Sequence, residues 1–484
     1  METKLKKIEV MDFKDFYILV SKVNGNVLTL SKEEYYDEDY LNEQLDLNEM
    51  YKEIDSLREY DKDLFKTVYI SLHTSVKCNL SCTYCFKKER DNRNLTFEES
   101  KKFIDMLISE FPNAGKFIVD PTGSGEPLLN IDLLVQIAEY CKVKSNEINR
   151  EVLPMLVTNG TLLTKDKVDI LQNSGYIFGV SIDGDKKSND AYRIDYSGNG
   201  VYKKVIKNVK NIKHKQYIGA AVTLTDKNTD LVKTLKHLIK HFPTISIKPV
   251  RSKKGEGGMH EGNIEEIKES YTKLFEFLLK ETLQGNLEYI GALLNGDDYF
   301  GKFILRAILN QKVLTRCDAG LGRVSLSTDG KIYVCPGGVD IEELVVGTLD
   351  NGIDSKKVNK FWRILTERKH CTNCFARFVC GGECMINSFY SKKSLDSIDK
   401  VMCDLKKHLH KLSLLFDYLV RDTKMHMIIY KSCIEKDNRF EEDIELSEVL
   451  ECTTNKYTFN ELKEIKDDYP KEYERILRVN KIDV

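Results

Sequence analysis

The chain has 484 residues, and its 74 Lys and Arg against 76 Asp and Glu leave a net charge of −2, so it carries no chain-wide basic field of the kind that holds nucleic acid or an anionic membrane. A composition 41% hydrophobic and 31% charged is that of a globular protein, and no run approaches the ~20 apolar residues of a membrane span. At roughly 100–200 residues per domain the length asks for more than one unit; a start reading Met1-Glu-Thr-Lys-Leu, without the apolar stretch of a signal peptide, leads to the expectation of a cytoplasmic protein.

Residues 16–30 hold two β-rich runs around Asn24-Gly25, a pair that tolerates positive φ and predicts a hairpin. An acidic helix is predicted over 41–57, so residues 1–66 read as a small α+β module. From residue 67 the pattern changes. Apolar runs at 67–74, 116–121, 152–158, 176–182, 217–224 and 244–250 alternate with charged segments of helical spacing. Six β/α units over 67–252 predict a parallel sheet with right-handed crossovers, open or a partial barrel, whose chemistry sits at the strands' C-terminal ends. The lysine-rich run 201–215 is expected on the solvated face of a crossover helix, and Cys141 in the core.

A glycine-rich segment at 251–264 marks a linker. Mixed-charge helical sequence forms a bridging region over 253–316. The cysteine-dense stretch 317–405 follows, with Trp362 expected in a core or at a domain contact. Leading into the extension 406–484, Leu405, Leu409, Leu412, Phe416 and Leu419 recur at helical spacing beyond Cys403, and the tail from Lys436 is charged.

Thirteen cysteines in a chain without an export signal point to metal or redox chemistry rather than disulfides. The first three stand in Cys78-Asn-Leu-Ser-Cys82-Thr-Tyr84-Cys85, directly after the first strand of the β/α region. The spacing C-x3-C-x2-C differs from the paired C-x2-C halves of most zinc sites, though an atypical zinc loop is an alternative. Three thiolates can hold three irons of a [4Fe-4S] cube and leave the fourth open to a substrate.

These residues resemble the signature of radical S-adenosylmethionine (SAM) enzymes. That resemblance implies a partial (β/α)6 barrel of class α/β and a SAM molecule chelated by the open iron. It also implies a 5′-deoxyadenosyl radical produced by one electron from a reduced flavodoxin or ferredoxin-type donor. Gly123-Ser124-Gly125-Glu126-Pro127 is similar to the family's Gly-Gly-Glu-Pro motif, with Ser124 in place of a glycine, which gives Gly125 and Glu126 to the methionyl amino group. Asn159, Ser181, Asp183 and Arg193, at the next strand ends, match positions that hold the ribose and carboxylate, with Ser181 and Arg193 assigned to the carboxylate. Taken singly, such residues also serve as turns and caps.

Cys317, Cys335, Cys371, Cys374, Cys380, Cys384 and Cys403 resemble the seven-cysteine pattern of the SPASM domain, a C-terminal iron-sulfur extension of radical SAM enzymes. A four-cysteine zinc site is the alternative reading. The resemblance implies two auxiliary [4Fe-4S] clusters, three in all: an outer one on Cys371, Cys374, Cys380 and Cys403, and an inner one on Cys317, Cys335 and Cys384. With three protein ligands where a cube takes four, the inner cluster is expected to accept a substrate thiolate. Cys433 and Cys452 lie outside the pattern.

Related sulfatase-maturating enzymes carry an aspartate directly after the second cysteine of this pattern. Here Pro336 stands there, which disfavours that reaction; Asp318 is the candidate acid or base, or else a turn residue. The expected activity is thioether formation in a ribosomally made, Cys-rich precursor peptide with a leader, residues 1–66 serving as leader-recognition element by strand addition or as a structural cap. Alternatives are a carbon-carbon crosslink, side-chain oxidation, decarboxylation or sulfatase-type maturation by the same fold, and, in a different class, a non-catalytic zinc or electron-transfer protein.

Overall fold

The computed structural model describes residues 5–52, 61–74, 76–85, 93–210, 212, 218–250, 257–295, 297–421 and 423–434. The acidic helix predicted over 41–57 stops at Leu47, where the chain turns through Glu49 at φ 49°; positions 53–57, most of the run 211–217, the start of the glycine-rich linker and the tail from Lys436 lie outside the described residues.

Strands β1 (Ile8–Asp12), β2 (Phe16–Ser21) and β3 (Val27–Ser31) form an antiparallel sheet in that order, followed by α1 (Glu38–Leu47). The predicted hairpin is β2–β3, but its connection is the longer segment 22–26, in which Gly25 alone takes positive φ, at 74°. Asn24 is buried, and its amide donates to the carbonyls of Glu49 at 2.7 Å and Lys52 at 2.9 Å, pinning the loop to the chain beyond α1. Both faces of this sheet are covered: Tyr17, Leu19, Leu28 and Leu30 pack with Leu41 and Leu45 of α1, while Met11, Ile18 and Val20 pack with Phe375 and Leu414.

The six predicted strands form β4 (Thr67–Leu72), β5 (Lys116–Asp120), β6 (Glu151–Thr158), β7 (Ile177–Ser181), β8 (Ile218–Leu224) and β9 (Thr244–Pro249), each parallel to its neighbour. Crossover helices α2 (Phe97–Glu110), α3 (Ile131–Ile148), α4 (Lys165–Asn173), α5 (Tyr202–Lys210) and α6 (Leu231–Leu238) alternate with them. Strand alternation sorts the two faces. Val68, Ile70 and Leu72 are buried with Phe103 and Leu107 of α2, whereas Tyr69, Asp120, Ser181, Thr223 and Lys248 occupy the alternate positions. A capping box between Thr96 and Glu99 starts α2. Val205, Ile206 and Val209 bury one side of α5 and leave its lysines outward; Cys141 and Trp362 are core residues.

The sheet does not end at β4. β10 (Arg323–Leu326) pairs with it in parallel, Arg323 opposite Tyr69, and β11 (Lys331–Tyr333), β12 (Val345–Thr348) and β13 (Gly352–Ile353) continue antiparallel into a ten-stranded sheet. The cysteine-rich segment is thus welded to the barrel's first strand. The bridging region is helical as expected, α7 (Ile264–Leu283), α8 (Glu288–Leu293) and α9 (Gly301–Ile308), and α10 (Ser355–Thr366), α11 (Met385–Lys392) and α12 (Lys400–Val420) follow. α12 packs on α7 and α9 through Leu405, Leu409, Leu412 and Phe416. Leu419 departs from the expectation at 38% exposure, because Val420 takes the buried place four residues after Phe416. Among the described residues no helix is long and apolar enough to cross a membrane.

Candidate active site

The loop after β4 is held from two sides. Ser81 and Thr83 donate backbone N–H groups to the carbonyls of Ile194 at 2.8 Å and Tyr192 at 3.0 Å, and the Tyr196 hydroxyl reaches the carbonyl of Cys78 at 3.1 Å. From the end of β6, the Asn159 amide donates to Asn79 Oδ1 at 2.8 Å and lies 3.8 Å from Cys78 Sγ, and Asn79 in turn donates to Thr161 at 2.7 Å. Cys78, Cys82 and Cys85 are partly exposed. Burial pushes the Cys82 thiol up to about 11; Arg193 opposes this, and neighbouring Cys85 and Cys78 add to it. Three thiols this close repel one another as anions, a cost that a bound cation removes.

Tyr84 and Asp183 join the loop to β7. The Tyr84 hydroxyl donates to Asp183 Oδ2 at 2.7 Å, Arg193 Nε donates to the same oxygen at 2.8 Å, and Arg193 Nη2 reaches Oδ1 at 3.1 Å. All three side chains are buried. Asp183 and Arg193, each matched to cofactor positions by sequence, are therefore paired with each other. Ser181, the last residue of β7, is half-buried beside them.

Glu126 is 1% exposed and accepts three donors from two segments: Oε1 accepts from Thr158 Oγ1 at 2.6 Å and the Leu128 N–H at 3.1 Å, and Oε2 from the Asn159 N–H at 2.8 Å. Burial pushes its carboxyl up, and those three donors pull it back. Gly125 precedes it in the chain. Sequence reasoning missed His73. It follows β4, is buried, and its Nδ1 lies 2.6 Å from Ser124 Oγ, so the serine that replaces a motif glycine has a partner. Gly123 has φ 61°, and a Cβ there would stand 2.7 Å from His73 Cα.

The seven cysteines from Cys317 to Cys403 fall into two neighbourhoods. Cys317 and Cys335 pack against the apolar core that contains Cys384, around β10–β12. Cys335 and Cys384 both face Tyr390; burial first, then Asp340 and these two thiols, pushes its hydroxyl up to about 12. Cys374 and Cys380 instead border the core shared with β1 and β2. Burial raises the Cys371 thiol, with Cys380 and Cys374 adding to the shift, and raises Cys403, with Cys380 and Cys371 contributing. Asp318 closes a turn, its carbonyl accepting the N–H groups of Leu321 at 2.9 Å and Arg323 at 2.8 Å.

Among the described residues no three His, Cys, Asp or Glu side chains are grouped as a single metal ion would hold them. The donor sets themselves are all soft thiols, the chemistry that suits iron-sulfur clusters.

Residues 72–238 match the family model "Radical SAM superfamily". A cysteine-type anaerobic sulfatase-maturating enzyme of Clostridium novyi is 25% identical over 335 residues, 65% of this chain and 86% of that protein. The radical SAM cyclopropyl synthase TigE of Paramaledivibacter caminithermalis is 24% identical over 394 residues, 74% of this chain and 77% of its own. Among solved structures, native anSMEcpe with bound AdoMet superposes with a TM-score of 0.59 at 19% identity, covering 73% of this chain and 98% of that one, a likeness of fold.

Proposed function

From a chain that carries a radical SAM domain at residues 72–238, we propose a cytoplasmic peptide maturase that joins a cysteine sulfur of a Cys-rich precursor to a carbon of another residue. The relatives named for sulfatase maturation and for cyclopropyl synthesis support action on peptides or amino-acid side chains. The observation that carries the thioether reading is the division of the SPASM-like cysteines: Cys317, Cys335 and Cys384 share one apolar neighbourhood, apart from Cys371, Cys374, Cys380 and Cys403. A three-thiol inner set leaves one ligand place for the substrate's own sulfur.

In this reading Cys78, Cys82 and Cys85 hold the cluster that binds SAM, and the two other sets hold auxiliary clusters. When bound, SAM on its cluster supplies hydrogen-atom abstraction from a carbon of the peptide. The chain's own residues aim that chemistry. Tyr84, Asp183 and Arg193 fix the cysteine loop against β7, Asn159 fixes it against β6, and Glu126 ties the loop after β5 to the end of β6. A guanidinium and a hydroxyl suit a carboxylate, the role this reading gives to Arg193 and Ser181. A flavodoxin or ferredoxin-type donor supplies the electron, and the β1–β3 sheet serves the leader through an edge strand.

A second reading, oxidation of a substrate cysteine as in sulfatase maturation, is favoured by the relatives' names. Mass spectrometry of a Cys-rich peptide encoded beside the gene, after anaerobic co-expression, separates the two. A thioether removes two hydrogens and consumes one thiol per link while all sulfur is retained. An aldehyde product lacking sulfur defeats the thioether reading and establishes the second.

A further inference from the structure

Cys380-Gly381-Gly382-Glu383-Cys384 links the two auxiliary cysteine sets, with a member of the outer set at one end and of the inner set at the other. Gly381 and Gly382 take positive φ, 64° and 93°, which lets the chain turn sharply between them. At the middle of this link sits an ion pair with no access to water: Lys406 Nζ lies 2.5 Å from Glu383 Oε2, and the two side chains are 2% and 0% exposed. The other Glu383 oxygen accepts the N–H of Cys384 at 2.7 Å, and Lys406 also reaches the carbonyl of Gly382 at 3.4 Å. Lys406 stands on α12 one turn beyond Cys403. Arg316, next to Cys317 and hydrogen-bonded to the Tyr299 hydroxyl at 3.2 Å, faces the same carboxylate.

The buried Glu383–Lys406 pair and the half-buried Arg316 thus stand among Cys317, Cys380, Cys384 and Cys403. Burial of such groups is a poor route to stability, because well-packed apolar side chains of similar volume commonly do as well or better. Their position suggests another use. A cluster gains an electron on reduction, so a nearby positive charge in a low-dielectric surround favours the reduced form and a negative charge opposes it.

We infer that Glu383 and Lys406, with Arg316, are positioning residues that set the reduction potential of the auxiliary clusters from the link between them. The inference rests on the reading of the two cysteine sets as cluster ligands.

The test is a potentiometric titration, followed by electron paramagnetic resonance, of the full-length reconstituted holoenzyme after its iron and sulfide have been counted. Lys406→Met is expected to lower the midpoint potential of an auxiliary cluster and Glu383→Gln to raise it. The double variant, which removes one charge of each sign, is expected to return close to the parent. Opposite signs are the discriminating result, since mere loosening of the fold moves both single variants the same way. If Lys406→Met fails to accumulate because it strands the buried Glu383, the comparison of Glu383→Gln with the double variant still reads the lysine's charge, and the double variant is expected to lie lower. Unmoved potentials, or shifts of one sign, with iron complete overturn the inference. A parent protein that binds iron on the 78–85 loop alone removes the ligand reading itself, and the inference with it.

Discussion

The Tyr84 hydroxyl donates a 2.7 Å hydrogen bond to Asp183, linking the residue before the third cysteine of the first motif to the end of the fourth barrel strand. Arg193 shares that carboxylate and places its guanidinium 5.5 Å from the Tyr84 ring centroid. Removing one member has unequal consequences. Tyr84→Phe leaves the ion pair intact and is expected to cost about 1–3 kcal/mol, the worth of a hydrogen bond to a charged group. Asp183→Asn strands a buried guanidinium and is expected to cost about 3–5 kcal/mol. Anaerobic urea unfolding of the two variants checks the order; equal losses would show that the pair is not the anchor.

Glu126 makes a separate prediction, because its oxygens are satisfied by three donors from two loops. Glu126→Gln puts an amide N–H₂ against at least one of those donors. A loss of about 1–3 kcal/mol is expected. Thr158→Val, which removes one donor, is expected to cost less than Glu126→Gln. Proteolysis at the ends of β5 and β6 reports the loosening, and an unchanged cleavage pattern in both variants counts against a clamp.

The three cysteine sets predict a stoichiometry. Full reconstitution should give ~12 iron per chain, four per cube. Replacing Cys78, Cys82 and Cys85 together, Cys317, Cys335 and Cys384 together, or Cys371, Cys374, Cys380 and Cys403 together by alanine should leave ~8 in each case. Iron and acid-labile sulfide assays decide it; stoichiometric zinc without iron contradicts the assignment outright.

How much of this was legible in the sequence depended on how local each feature is. Strands such as Ile218–Leu224 announce themselves by strict alternation, buried at every second residue, and all six were found. The sheet's continuation was not, since β10–β13 are only two to four residues long and β10, which joins them to the barrel, pairs with β4, far earlier in the chain. The first cysteine motif was readable because it is a matter of spacing within eight residues. The Asp183–Arg193 pair was not readable: it forms because the chain folds back through the short helix Lys186–Asp190 and the bridge between Ile194 and Gly200, a tertiary event without periodicity. His73 was passed over for the same reason, its partner Ser124 lying one β/α unit away.

His410 predicts an acid limit. Its ring lies on Phe375, with centroids 5.7 Å apart and an interplanar angle of 15°, and neither ring nitrogen has a hydrogen-bond partner among the described residues. Burial alone pushes the imidazole down to about 3. The unfolded chain takes up this proton near pH ~6.5, whereas the folded chain refuses it until far lower pH. The stability is therefore whole above pH ~6.5 and falls as pH drops toward 3, by about 1.4 kcal/mol per unit from this group. His410→Phe should flatten that slope, measured as denaturation midpoints between pH ~7 and pH ~5. A slope identical in the two proteins assigns the acid lability elsewhere.

Gly381 is the position at which the least change should do the most. Its φ of 64° lies in the left-handed region, and a Cβ there would meet the Thr315 carbonyl carbon and the Arg316 nitrogen at 2.3 Å each. The conformational term for Gly381→Ala is about 1–2 kcal/mol. Overlap with backbone, which cannot swing aside as a side chain can, adds to it, so the total should exceed that of the Asn149→Ala control, whose site also has positive φ, at 52°. The overlapping backbone leads directly into Cys317, while Gly381 follows Cys380, so the substitution pushes one cysteine neighbourhood away from the other. Gly381→Ala should lower the unfolding midpoint and, in the protein that does fold, reduce iron by ~4 or more through loss of an auxiliary cluster while the 78–85 loop keeps its own. A full iron complement with parent-like stability would mean that the link between the two sets yields without cost.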